Sequence, residues 1–307
     1  MTALAPSPAP VSGRVTANLA CMLSMLIWAS GLPAAELLIG KVPPMELTAI
    51  RMALAAVVLL PLWLMVEGPA VLFRADWGRG ILIGGVTIGF GAFLLVIGQD
   101  MTDAVTVAVI AASMPVIGVT IEVFLDRRRL SSAIVLGMFL SLAGGVMALD
   151  GKVSTAGLGL GAALCFVSVA VFALGSRLTV TAFPELSPLG RTTVTLTGAA
   201  VLTGLAALAH TAMGSSGPDW ALLGWREAGA LALYGVGSLA ISQVLWIMSV
   251  GSLGIGLASL HINATPFYVM LIMVAAGAAW NGMQAFAAVI VGAGVLVAQG
   301  IIPLPRS

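Results

Sequence analysis

Long apolar stretches, each near the length of a membrane crossing, alternate with short polar breaks along almost the whole chain. Ten of them are predicted as helices, numbered 1 to 10, at residues 15–39, 45–66, 80–97, 104–125, 131–149, 158–178, 188–212, 228–250, 253–276 and 283–302. The fourth is the clearest. Between Val105 and Leu125 the one ionisable side chain is Glu122, in 21 residues, enough to cross a hydrocarbon core of roughly 30 Å, and the run stops at Asp126-Arg127-Arg128-Arg129. Pro115 interrupts it and withholds a hydrogen bond from the carbonyl of Ala111, a defect tolerated in lipid where protein or a wet cavity lies alongside. The first stretch is too long for the apolar core of a signal peptide, and Cys21 lies at its start, not after it, which argues against a lipoprotein acceptor. Residues 1–13, small and proline-rich, are expected to be a disordered tail, and residues 304–307 a short C-terminal one.

The pattern occurs twice. A shift of 151 residues lays Pro115 on Pro266, Gly84 on Gly235 and the polar pause 99–103 on 250–254. A second marker, Pro44 with Arg51, is matched by Pro184 with Arg191 at a shift of 140, and a longer loop around 210–227 would absorb the difference. The expected organisation is a first five-helix repeat over 14–151 and a second over 152–303. Because five is odd, the second copy enters the membrane upside down, so the fold class is an all-α polytopic membrane protein of ten transmembrane helices in two inverted repeats. Glycines four apart, at Gly80/Gly84, Gly85/Gly89 and Gly157/Gly161, suit close helix packing.

Composition agrees. The chain is 60% apolar and 8% charged, whereas a soluble domain carries about 25% charged residues. Its net charge of +1 leaves no basic face for nucleic acid. Cys21 and Cys165 stand inside apolar runs without metal-ligand spacing, so no metal site and no cofactor is expected. With the N-terminus in the cytoplasm, Arg14, Arg74, Arg79, Arg127, Arg128, Arg129, Arg177 and Arg306 fall inside, against Lys41, Lys152 and Arg226 outside, so both termini are expected to be cytoplasmic.

Trp28-Ala29-Ser30-Gly31 in helix 1, Pro44 followed by Arg51, Pro115 with an acidic residue eleven positions on, and the corresponding second-half markers resemble the drug/metabolite transporter superfamily, in its ten-helix EamA form. The likeness covers nearly the whole chain. It departs at the end of helix 4, where the family often has Glu and this chain has Asp126, and at the second-half equivalent, Gly277. The resemblance implies a solute carrier of the bacterial inner membrane, with a cavity between helices 1–4 and 6–9 and with helices 5 and 10 outside. Family members carry amino acids, other metabolites and lipophilic drugs, commonly outward by alternating access; the aromatic amino-acid exporters (YddG type) are the nearest subgroup. The expected partners are a small-molecule substrate and membrane lipid, and the expected state is a monomer.

Polar and aromatic groups at mid-membrane depth are the candidate substrate contacts: Trp28, Phe90, Phe93, Ser113, Ser168, Gln243, Trp246, His261 and Asn263. No carboxylate, Lys or Arg is expected among them, which suits a neutral or zwitterionic solute met by backbone dipoles at the breaks before Pro115 and Pro266. Gln243 and Trp246, three apart, share a helix face and offer an amide beside a ring. His261 and Asn263 are about 200° apart, so both reach one cavity only in a distorted helix. Each has an alternative role in satisfying backbone groups freed by Pro266, and Phe90 and Phe93 an alternative role facing lipid. Glu36 with Arg51 and Glu122 with Arg191 are candidate gating pairs at the two surfaces, against the alternative that the long side chains snorkel. No carboxylate is available at mid-depth for proton coupling, which leaves gradient-driven movement as the expected mode, with His261 the one candidate for a proton link. Gly214-Ser215-Ser216-Gly217 has the pattern of an intramembrane serine protease, yet Pro218 and Asp219 follow it in a polar loop, which argues for a connection and against an enzyme.

Overall fold

A computed structural model describes residues 11–102, 107, 110–148, 159–214, 217–275, 280 and 282–303. Among the described residues there is no strand; the protein is all-α. Helix 1 is Val11–Glu36 and helix 2 Pro44–Glu67. Helix 3 is Trp77–Asp100, helix 6 Leu160–Ala182, helix 7 Pro188–Ala212 and helix 8 Trp225–Leu253; with the first two, these six are long and apolar enough to cross a membrane. Four shorter apolar helices belong to helices 4, 5, 9 and 10, so that all ten predicted stretches hold helix among the described residues. Helix 5 is Ser132–Ala148 and helix 10 is Gly282–Ala298. Residues 11–13, expected in the tail, are helical. Residues 1–10, the expected boundary at 151–152, Ser215, Ser216, Gly277 and 304–307 lie outside the described residues.

Four spans are irregular, and the irregularities pair off. Helix 3 widens to a π-helical stretch over Gly84–Gly89 and helix 8 over Leu233–Ile241, which coincide at the shift of 151. Helix 4 turns at residues 112–113 before its second part, Met114–Leu125. Helix 9 runs as Ile255–Ser259, tightens to a 3₁₀ stretch over Leu260–Ala264, and resumes as Thr265–Ala275. In both the break precedes the proline, leaving Pro115 and Pro266 as the second residue of the resuming helix, where a missing N–H costs nothing.

The packing map has the same twofold character. Helix 2 packs on helix 7, helix 4 on helix 9 and helix 5 on helix 10; helix 1 packs on helix 8 as helix 3 does on helix 6, and helix 2 on helix 8 as helix 3 does on helix 7. Exchanging every helix for the one five positions away leaves these contacts unchanged. Small residues make the contacts close. A Cβ on Gly84 would collide with the carbonyl of Thr195, and one on Gly198 with that of Gly80. Gly137 and Gly144 of helix 5 meet Gly294, Ala298, Ala287 and Val291 of helix 10 in the same way. Large apolar side chains point outward instead, among them Met65, Phe124, Phe139, Leu208 and Val289, all more than two-thirds exposed and suited to lipid.

Glycine contacts also correct the second sequence marker. Gly84 packs on Thr195, whereas its twin Gly235 packs against Leu54 and the carbonyl of Arg51, 3.3 Å from where a Cβ would be. Helix 2 starts at Pro44 and helix 7 at Pro188. Arg51 therefore corresponds to Thr195, at a shift of 144, and not to Arg191, which stands one turn nearer its helix start.

Candidate functional site

A cavity lies between helices 1, 2, 3, 4, 6, 8 and 9; among the described residues none of helices 5 and 10 lines it, and none of helix 7, which was expected in the wall. Its wall is built from twin positions. Ser24, Met25 and Trp28 on helix 1 correspond at 144 to Ser168, Val169 and Phe172 on helix 6, and all six line it. Ile88, Gly91, Ala92 and Leu95 on helix 3 correspond at 151 to Leu239, Ser242, Gln243 and Trp246 on helix 8, again all lining, as do Ala111 and its twin Ile262 at the breaks of helices 4 and 9. Ile88 and Leu239 lie on the widened turns of helices 3 and 8, irregularities of a kind that recurs at functional sites, and the other lining residues of these helices follow in the next turns.

Two hydrogen bonds repeat this symmetry. Ser24 Oγ donates to the carbonyl of Ser242 at 2.7 Å, and its twin Ser168 donates to the carbonyl of Gly91, the twin of Ser242, at 2.6 Å. Both hydroxyls tie helices together, which explains their burial in an apolar surrounding.

The twin positions differ in chemistry. Where helix 3 offers Gly91, Ala92 and Leu95, helix 8 offers Ser242, Gln243 and Trp246. Trp246 is buried, stacks on Phe172 with ring centroids 6.2 Å apart, and donates its indole N–H to Ser176 Oγ at 2.9 Å. That bond fixes the ring without using the cavity. Gln243 is 5% exposed and its amide meets no hydrogen-bond partner among the described residues. Arg51, which sequence reading set at a surface gate, also lines the cavity. Its Nε donates to the Tyr234 carbonyl at 3.2 Å, an Nη donates to the Tyr234 hydroxyl at 3.1 Å, and the guanidinium lies 3.9 Å from the centre of that ring.

Of the candidate contacts, then, Trp28, Ser168, Gln243 and Trp246 are brought together in the cavity wall. Phe90 is half exposed on the outer surface, and neither it nor Phe93 lines this cavity. Ser113 bonds back to the Ile110 carbonyl at 2.6 Å, capping the turn before Pro115. His261 and Asn263 are buried in the 3₁₀ stretch but turn from the cavity. The His261 ring meets the Ala258 carbonyl at 3.2 Å, and Asn263 Nδ2 donates to Ser141 Oγ of helix 5 at 2.9 Å. Ser141 in turn donates to the Leu260 carbonyl at 3.2 Å, so helix 5 takes up part of what the break exposes, while Asn263 Oδ1 and Thr265 Oγ1 are buried without a partner among the described residues.

The expected gating pairs are partnered otherwise. Glu36 is exposed and Arg51 is held by Tyr234. Glu122 pairs with Arg128 and accepts from the backbone N–H of Gly256 at 2.9 Å, clasping helix 4 to the start of helix 9. Arg191 donates to the Phe183 and Pro184 carbonyls at 2.8 and 2.9 Å. At the same end Asp126 pairs with Arg177 of helix 6, and Arg79 donates to the Ala182 carbonyl at 3.0 Å. At the opposite end Lys41 meets Glu227 at 2.7 Å and His210 meets Glu46 at 3.0 Å. Ser215 and Ser216 of the protease-like pattern lie outside the described residues.

Over 278 residues the chain is 26% identical to the uncharacterized transporter YyaM of Bacillus subtilis (strain 168), covering 89% of this chain and 90% of that protein. A solved structure, described only as the crystal structure of a protein, shares the fold with a TM-score of 0.76 at 23% identity, across 95% of this chain and 100% of that one. Residues 15–149, four of whose five helices contribute to the cavity, match the EamA-like transporter family, and with the apolar spans this match and the relative point to a multi-pass membrane transporter.

Proposed function

We propose that the protein is a secondary transporter that moves small amphipathic metabolites, amino acids including aromatic ones among them, outward across the cytoplasmic membrane. The two halves, 14–151 and 152–303, are read as inverted repeats that alternate the access of one cavity, with both termini cytoplasmic. The observation that carries this reading is the cavity wall itself: fourteen of its lining residues form seven twin pairs across the halves, in addition to the paired serines that fix helices 1 and 6. A site at the interface of duplicated halves, beside interrupted helices, is the arrangement that lets one half rock against the other around a fixed ligand. The apolar rings of Trp28, Phe172 and Trp246, with the free amide of Gln243, give a wall for an apolar body and a polar group.

Uptake of radiolabelled amino acids by liposomes holding the purified protein tests it. Saturable uptake of aromatic or other neutral amino acids is expected, and Trp246→Ala should lower it by about tenfold or more, the effect of losing about 1.4 kcal/mol of binding. A well-folded protein that moves none of them, while moving lipophilic cations, would turn the reading to drug export. Uptake that ignores a pH gradient is the expected behaviour of gradient-driven movement.

A further inference from the structure

Arg51 is the unusual group in this cavity. It is 4% exposed, seven residues into helix 2, and has no carboxylate partner among the described residues. Buried charges in membrane helices are ordinarily paired with an opposite charge, because an uncompensated one is costly. The acid nearest on the same helix, Glu46, meets His210 of helix 7 through Oε1 and forms no ion pair with Arg51, its Oε2 being buried without a partner among the described residues. What holds Arg51 is neutral: the carbonyl, hydroxyl and ring face of Tyr234. These fix the guanidinium in place and leave its positive charge uncancelled. The twin position is Thr195, whose hydroxyl is bonded to its own helix at the Arg191 carbonyl, 2.9 Å away, so the charge has no counterpart across the pseudo-twofold.

A second observation points to a ligand. Gln243 is also nine-tenths buried and unpartnered, and opens onto the same space, with both a donor and an acceptor to offer. The lining otherwise consists of aromatic and aliphatic side chains and serines whose hydroxyls are occupied.

We infer that Arg51 is the receptor for a carboxylate on the transported solute, and that the cavity takes small amphipathic monocarboxylates: an apolar or aromatic body carrying one carboxylate, with an amino group optional. The inference rests on the reading of this cavity as the transport site and names its substrate class. A planar guanidinium held on one side presents its remaining N–H groups to a carboxylate in a charge-assisted, two-point contact. No acidic side chain lines the cavity among the described residues, so nothing there requires an ammonium group. Carboxylate is therefore the recognised feature, and amines lacking it are excluded by the like charge of Arg51.

Binding to the detergent-purified full chain tests this, with 3-phenylpropionate, L-phenylalanine, 3-phenylpropionamide and phenethylamine as probes. Wild type is expected to bind both carboxylates and to bind the isosteric amide and the amine at least tenfold more weakly. Arg51→Gln should remove that preference, Arg51→Lys should keep part of it, and Gln243→Leu should weaken the probes without changing their order. Equal binding of 3-phenylpropionate and its amide by wild type, or no binding of either carboxylate, overturns the inference even if Arg51→Gln fails to fold. So does an unchanged preference in a folded Arg51→Gln. Arg51-dependent binding without flux in liposomes would instead sink the transporter reading and leave the carboxylate receptor standing.

Discussion

Gly84 and Gly198 let helices 3 and 7 approach until backbone meets backbone, with the carbonyls of Thr195 and Gly80 where side chains would be. Neither obstacle is the end of a flexible side chain, so Gly84→Ala must push the helices apart. A cost of about 1–3 kcal/mol is expected, the range for overpacking, visible as a lower melting temperature of the purified protein. Gly204, with open space around it, is the control: Gly204→Ala should leave the melting temperature unchanged or raise it slightly. At this scale the sequence was readable where depth alone decides. Trp28, Gln243 and Trp246 stand at mid-span, and all three line the cavity. It was unreadable where a partner decides: Ser141, which takes up Asn263, is on a helix 122 positions away and carries no mark of that role. Arg51 was misplaced for a different reason. Seven residues at 1.5 Å each set it about 10 Å below the start of helix 2, too deep for an interfacial latch, and that depth follows from chain position alone.

Helices 4 and 9 show what a proline does when the chain has room to rearrange. Apolar length and Pro115 indicated a defect in a continuous helix; instead the helix stops, turns and restarts so that the proline needs no partner. Sequence periodicity marks the proline but not the side on which the helix yields, which depends on neighbours such as Ser113 and the carbonyl of Ile110. At the end of helix 4, Glu122 joins three elements at once: its own helix, the following loop through Arg128, and helix 9 through the N–H of Gly256. The Glu122 carboxylate is the hub, so a double-mutant cycle with Glu122→Gln and Arg128→Gln should show a coupling of about 1 kcal/mol or more in thermal stability. Additive losses would mean that the two side chains act independently. A glycine at 256 is part of the same joint, since a Cβ there would stand 2.8 Å from the carboxylate.

Taken whole, the molecule is a set of contacts between halves more than within them: helices 2, 4 and 5 each pack on their own counterparts, and helices 1 and 3 on helices 8 and 6. Most of the cavity therefore exists only when both halves are present. Co-expressed as separate chains cut in the 149–158 connection, the two five-helix units are expected to co-purify and to restore uptake, while either alone should be unstable; failure to associate would assign the fold's stability to the connection. The doubling was legible in the sequence because prolines and glycines leave marks that survive divergence. Its register in the first two helices was not, since Pro184 and Arg191 imitate Pro44 and Arg51 one turn out of place, and the glycine contacts and helix starts separate the imitation from the true twin. The widened turns at Gly84–Gly89 and Leu233–Ile241 carry a consequence of a historical kind. Independent gain of so rare an irregularity at one register in both halves is the less economical history, so the turn is older than the doubling. On that history the ancestor was a single five-helix chain already carrying that kink, and the arginine of the present cavity, matched by Thr195 in the other half, was kept or acquired on one side only after the two copies became free to differ.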